Sequence, residues 1–429
     1  MIRKFWTAAA LAVVVVSPSS AQDGADARTL TLAEAVELAA RHDPAFLAAE
    51  ADVARARADR LQARGTFLPS VSANGFYSNS SNERFDQTTG RLVSESYTAQ
   101  LQGSYDLFAG GRRLLDNRAA DRELDAARAV HRSRRFETEL VATEAFYAVA
   151  AASDLVDVAT QRLTRAQQQH EFARTRLELG TATTSDALRA EIEVANAELA
   201  LHEARSALNV AAFELGRITG LGGAVHAERH SLPDAAPELP PLDELLALAD
   251  RAAPGVVAAE AIESSARALR FAAMSAYLPT LRLTAGYDWF SFEFPPDQES
   301  WSMRLFASVP IFNGFQREAA VQRAAATEDL AQAQARDARL AARAEVQAAA
   351  AEVELAEQRV AISTRTVALA EEDLRVQEER YRIGAATILD LQASQLALAE
   401  AQISNVRSKQ SLGGAVARLE AILGENLDG

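Results

Sequence analysis

Val346-QAAAAEVELAEQRVAISTRTVALAEEDLRVQEERYRIGAATIL-Asp390 reads as a long helix that ends in a tight reversal and opens a second helix. Val346, Val353, Val360, Val367, Leu374 and Tyr381 recur every seven residues. Leu355, Ile362, Leu369, Val376 and Ile383 keep the same period two residues on. At about 3.5 residues per turn, two residues are roughly 200° of rotation, so the two rows lie on nearly opposite sides. A helix with one apolar stripe serves one core. Two opposed seams demand a neighbour on each side, which predicts a sheet or closed cylinder of helices.

The same pattern occurs 204 residues earlier: Val149, Val156, Leu163, His170, Leu177 beside Ala151, Val158, Arg165, Phe172, Leu179. The seam weakens where His170 and Arg165 replace apolar residues. The reversal is also duplicated, as Arg176-LELGTATTS-Asp186 and Arg380-YRIGAATIL-Asp390. The chain therefore divides into a first repeat over 29–220, a Gly/Pro-marked linker over 221–240 and a second repeat over 241–424.

Each repeat opens with two helical segments. Thr31-Leu-Ala-Glu34 has the capping-box pattern, and Asp43-Pro44 sets an acidic cap before proline at the first helical position. Beyond Pro69 and Pro279 the period changes from 3.6 to 2. Val71, Ala73, Gly75, Tyr77 and Tyr97, Ala99, Leu101, Gly103, Tyr105, Leu107 alternate with polar residues. So do Leu281, Leu283, Ala285, Tyr287, Trp289 and Trp301, Met303, Leu305, Ala307, Val309. Strands are expected at about 70–78, 96–108, 281–291 and 300–310, with polar hairpin tips at 79–95 and 292–299. Segments of about ten residues with one apolar and one polar face match membrane-barrel strands. Tyr77, Tyr97, Trp289 and Trp301 lie where an aromatic girdle would sit. Glycine turns at Gly110-Gly111 and Gly314 lead into the long helices; the second, over 316–382, would be roughly 100 Å long at 1.5 Å per residue.

Residues 1–21 have the features of a secretory signal: Arg3 and Lys4, an apolar run from Phe5 to Val16, then Ser19-Ser20-Ala21. That run is too short to span a bilayer as a helix. The chain has no cysteine, which removes disulfides, thiolate metal sites and a lipid-anchored N-terminus. A formal net charge of −15 argues against a nucleic-acid partner. No phosphate loop, paired-histidine zinc motif or serine elbow is present, so no enzyme and no cofactor is expected. His226-Ala-Glu-Arg-His230 has a zinc-like spacing but no third ligand.

Four strands cannot close a barrel, and lipid tolerates no open sheet edge, so the chain must associate. Eight strands from a dimer or twelve from a trimer would both serve. The Leu-Pro strand entries, the Phe108-x-Gly110 and Phe312-x-Gly314 turns and the reversals with Gly180/Asp186 and Gly384/Asp390 resemble the outer-membrane efflux protein family of TolC channel-tunnels over about 29–424. The resemblance implies an α+β membrane protein. Its long coiled-coil helices would form an α-helical barrel, and its four strands would contribute to a shared twelve-stranded transmembrane β-barrel in a homotrimer. It implies an outer-membrane channel for a tripartite efflux pump or type I secretion system, with a tunnel reaching into the periplasm. The implied partners are a periplasmic adaptor, an inner-membrane pump and outer-membrane lipid. The adaptor would dock at the helix tips, Gly180, Thr181, Gly384 and Ala385. In a trimer Asp186 and Asp390, with Arg380 and Arg382, would ring the periplasmic aperture. Ala393 departs from the family's second acidic position. The rival reading is a periplasmic or surface coiled-coil scaffold.

Overall fold

The computed structural model describes residues 28–86, 90–229 and 231–427; the expected signal segment and His230 lie outside them. The first repeat runs β1 (Arg28–Leu30), α1 (Leu32–His42), α2 (Pro44–Gly65), β2 (Ser70–Asp86), β3 (Arg91–Ala109), α3 (Arg112–Glu178) and α4 (Thr184–Ile218). The second repeats that order as β4 (Val225–Ala227), α5 (Leu242–Ala252), α6 (Pro254–Met274), β5 (Thr280–Ser291), β6 (Gln298–Ser308), α7 (Gln316–Arg382) and α8 (Ile388–Leu423). Strands β2-β3-β5-β6 form one antiparallel sheet, and β1 pairs in parallel with β4.

The helices form a wall. Toward the reversals α3 lies between α4 and α8, with α7 beyond α8; toward the sheet α2 and α6 take over as the flanking helices. α2 and α6 thus continue the lines of α4 and α8. Glycine makes the joints possible. Gly220 (φ 73°) presses on the His42 ring, and Gly424 (φ 69°) abuts Pro254, whose Cγ would lie 2.7 Å from an added Cβ. A side chain at either site would push the stacked helix away.

The two seams divide as the wall requires. Val346, Val353 and Val360 are buried with Leu245, Leu412 and Leu419, while Val149 and Ala151 are both buried on α3. The outer row of α7, however, is bare: Leu355, Ile362, Leu369, Val376 and Ile383 are all exposed. So are Leu188, Ile192 and Leu199 on α4, the opposite end of the wall.

The strands depart from expectation in three places. β2 and β3 run for 17 and 19 residues, well past the expected ends, because pairing resumes at Arg84↔Val93 and continues to Asp86↔Arg91. Backbone ladder bonds need no apolar side chains, so the polar composition marked the end of the apolar layer and not the end of pairing. A bulge between Asp106 and Phe108 takes Leu107 out of the apolar row, and Phe108 pairs with Leu281 instead. The β1–β4 pair joins the start of the first repeat to the segment read as a linker. Three residues per strand carry too little alternation to show in sequence.

Candidate functional site: the helix reversals and the sheet faces

The two reversals are built alike from the backbone up. After α3, Gly180 (φ 75°) donates its N–H to Leu177 O at 2.9 Å, and the Thr181 N–H reaches Arg176 O at 2.8 Å. Gly384 (φ 79°) does the same to Tyr381 O at 3.1 Å, and Ala385 to Arg380 O at 2.7 Å. These are Schellman closures, which favour glycine because it enters the left-handed region without a Cβ clash. Thr183 and Thr387 then open α4 and α8 with complete capping boxes. The Thr183 N–H and hydroxyl donate to the Asp186 carboxylate at 3.1 and 2.8 Å, and Thr387 does so to Asp390 at 2.8 and 2.7 Å. Hydrogen bonds from the Thr183 hydroxyl and then its backbone hold the Asp186 carboxyl below the usual range. The Thr387 backbone N–H and then its hydroxyl do the same for Asp390.

The arginines at the tips have separate duties. Arg380 donates to Ala385 O at 3.4 Å, and Arg382 pairs with Glu379 one turn back. Glu178 is bound by Arg174 on its own helix. Arg176 is the one that crosses between the repeats. It donates to Thr181 O at 3.4 Å, as its counterpart Arg380 does locally, and to Tyr381 O at 3.3 Å on α7. Its guanidinium stands 5.8 Å from the Phe172 ring centre and 5.3 Å from that of Tyr381, in cation–π range of both. Phe172 and Tyr381 were legible only as seam positions; nothing in their spacing reveals the arginine between them. Arg165, the polar intruder in the seam, is half-buried. Desolvation draws its guanidinium below its usual value, and Glu378 and Glu371 oppose that shift.

At the other end of the wall the ladder sorts the two faces. Ala73↔Leu101↔Tyr287↔Trp301 is one cross-strand row of the apolar face, and Ser72↔Gln102↔Gly286↔Ser302 is its neighbour on the polar face. The polar face also carries Thr284↔Arg304 and the ion pair Arg282–Asp106 at 2.5 Å. Tyr77 pairs with Tyr97, their rings 5.1 Å apart; Trp289 lies in the next row of that face, with Gly75 and Ala99, and Trp301 in the row after it, with Ala73 and Leu101. All four aromatics lie on the apolar face, spread over three rows and not in one band. Both edges of the sheet, β2 and β6, are open in the single chain.

The family model for outer membrane efflux proteins matches residues 35–221 and 245–425, one match per repeat. The chain belongs to the outer membrane efflux protein family. Protein CyaE of Bordetella pertussis is 27% identical over 323 residues, 74% of this chain and 68% of that protein. The cobalt-zinc-cadmium resistance protein CzcC of Cupriavidus metallidurans is 30% identical over 196 residues, 46% of each chain, so the match spans about half of that relative. Among solved structures CusC superposes with a TM-score of 0.80 at 18% identity, covering 92% of both chains, which establishes the fold.

Family membership puts this efflux protein in the outer membrane, with the helical wall on the periplasmic side. Among the described residues no helix is long and apolar enough to cross a membrane, and no cluster of His, Asp and Glu could hold a metal ion. His226 lies on β4, paired with Thr29.

Proposed function

We propose that three copies of this efflux protein close a twelve-stranded barrel in the outer membrane and a twelve-helix tunnel beneath it, through which substrates leave the periplasm. The observation that carries this reading is the four-stranded sheet with two sorted faces and two open edges. Lipid accepts no unpaired edge, so the sheet must close on further copies. The bare outer rows of α4 and α7 ask for the same arrangement one level below. In the trimer the apolar face turns to lipid and the polar face lines the lumen, with Tyr77, Tyr97, Trp289 and Trp301 on the lipid side.

A periplasmic adaptor engages the tips at Gly180, Thr181, Gly384 and Ala385, and an inner-membrane pump drives the cargo. Asp186 and Asp390 supply up to six carboxylates at the aperture beside Arg380 and Arg382, a ring that favours cations. The name of one relative records resistance to cobalt, zinc and cadmium; an efflux role with the cargo chosen by the pump fits that relationship. The test is purification in detergent followed by planar-bilayer recording. A trimer that conducts, with cation preference reduced in Asp390→Asn, is expected. A monodisperse, detergent-free monomer with no conductance would return the chain to the scaffold reading.

A further inference from the structure

The two junctions between sheet and long helix are each built around an arginine. Arg113, on the first turn of α3, donates to Thr66 O at 3.2 Å and to Leu107 O at 3.4 Å. Its guanidinium stands 5.2 Å from the Phe67 ring centre and 5.6 Å from that of Tyr105. Arg317, its counterpart on α7, donates to Pro310 O at 2.7 Å and to Ile311 O at 3.1 Å. It stands 4.7 Å from the ring centre of Tyr277, the counterpart of Phe67. Each repeat thus folds an arginine over its own strand exit and against the aromatic at its own strand entry.

Capping the strand-end carbonyls uses two of the five N–H donors on each guanidinium. It leaves the charge unanswered. Among the described residues neither arginine is ion-paired: Asp116 is bound by Arg112, and Asp106 by Arg282 on the polar face. Both side chains are half-buried, so part of each stays open to its surroundings. Tyr105 belongs to the apolar row of β3, opposite Leu283, which puts Arg113 on the apolar side of the sheet. The junctions lie where the sheet meets the helical wall, at the level of the periplasmic leaflet for a member of this family. Phe67, Leu68, Tyr277 and Leu278 are all exposed there and continue the apolar face beyond the ladder. Aromatic rings and an arginine with its stem on apolar surface are the composition found where acyl chains give way to headgroups.

We propose that Arg113 and Arg317 each hold the phosphate of an anionic phospholipid in the periplasmic leaflet, giving two lipid sites per chain. The proposal rests on the lipid-facing assignment of the apolar face made above, and adds the site and the headgroup class. A guanidinium meets phosphate through parallel N–H donors, and three remain on each arginine after the carbonyls are served. Its unpaired charge favours a headgroup of net negative charge over a zwitterionic one. The acyl chains then run over Phe67 and Leu68, or over Tyr277 and Leu278, onto the apolar face.

Native mass spectrometry of the detergent-purified protein tests this, with phosphatidylglycerol and phosphatidylcholine of identical acyl chains as probes. Wild type should retain up to two phosphatidylglycerol molecules per chain, at about five-fold preference over phosphatidylcholine, the effect of one basic residue at an anionic surface. Arg113→Gln should lose one of the two, and Arg113→Gln with Arg317→Gln should lose both. Arg304→Gln, on the polar face, should lose neither. Excess inorganic phosphate should not displace the lipid, because the acyl chains also hold it. Equal retention of the two lipids, an unchanged preference in the double variant, or displacement by inorganic phosphate would each overturn the proposal. Should the glutamine variants fail to assemble, the wild-type comparison and the phosphate competition still decide. A protein that needs detergent but shows no preference loses only these sites. One that retains neither lipid and is soluble without detergent loses the lipid-facing assignment as well.

Discussion

Asp186 and Asp390 are held below the normal carboxyl range by Thr183 and Thr387, so their capping contribution has a defined pH window. A depressed folded pKa gives stability that is complete above the unfolded value of about 4 and disappears as pH falls through the folded one. Amide protection of the first turns of α4 and α8, corrected for intrinsic exchange rates, should therefore be flat from pH 7 to 5 and decline only below about 4. A decline centred near pH 6 would mean that some other group titrates the tips. Gly413 offers a second residue-scale test, since a methyl there meets the Tyr147 ring. Gly413→Ala should cost about 1–3 kcal/mol by overpacking. It should cost much less in a Tyr147→Ala background, measured as the midpoint of helical melting in detergent. Equal costs in both backgrounds would show that the ring moves aside freely.

At the scale of elements, the sheet makes the sharpest demand. Leu101 and Leu305 lie on the apolar face and Gln102 on the polar one. A lipid-facing Arg near mid-membrane costs about 2–4 kcal/mol. Leu101→Arg and Leu305→Arg should then lower the yield of assembled protein in outer-membrane fractions, while Gln102→Arg should not; equal losses in all three would refute the lipid and lumen assignment. The faces were readable because a period of two leaves no other way to sort Val71, Ala73 and Gly75 from Ser70, Ser72 and Asn74. The length of β2 was not readable, because pairing resumes at Arg84 to Asp86 through backbone groups that composition does not report. The reversals were readable for the opposite reason: Gly180 with Asp186, and Gly384 with Asp390, are residue types the local backbone requires. The Arg176–Tyr381 contact spans 205 residues and depends on how two helix pairs meet, which no local pattern encodes.

At the scale of the whole molecule, α7 alone carries an internal control for assembly. Its two rows are both apolar and keep the same period, and differ in what covers them. Val353 is 1% exposed and packed within the chain, whereas Ile362 is 66% exposed and seven residues from its like-exposed neighbours Leu355 and Leu369. An aspartate at Val353 would leave a charge buried without a partner, so Val353→Asp should prevent the chain from folding. An aspartate at Ile362 costs the isolated chain almost nothing. If the outer row is the seam against a second copy, Ile362→Asp removes about 1.5–3 kcal/mol of apolar burial at every subunit boundary. It also puts a carboxylate into that boundary. The expected result is a chain with native helix content that no longer sediments as a trimer and gives no conductance in bilayers. A trimer of normal stability from Ile362→Asp would mean that the exposed row faces solvent in the assembly. The second seam would then need an occupant other than this chain.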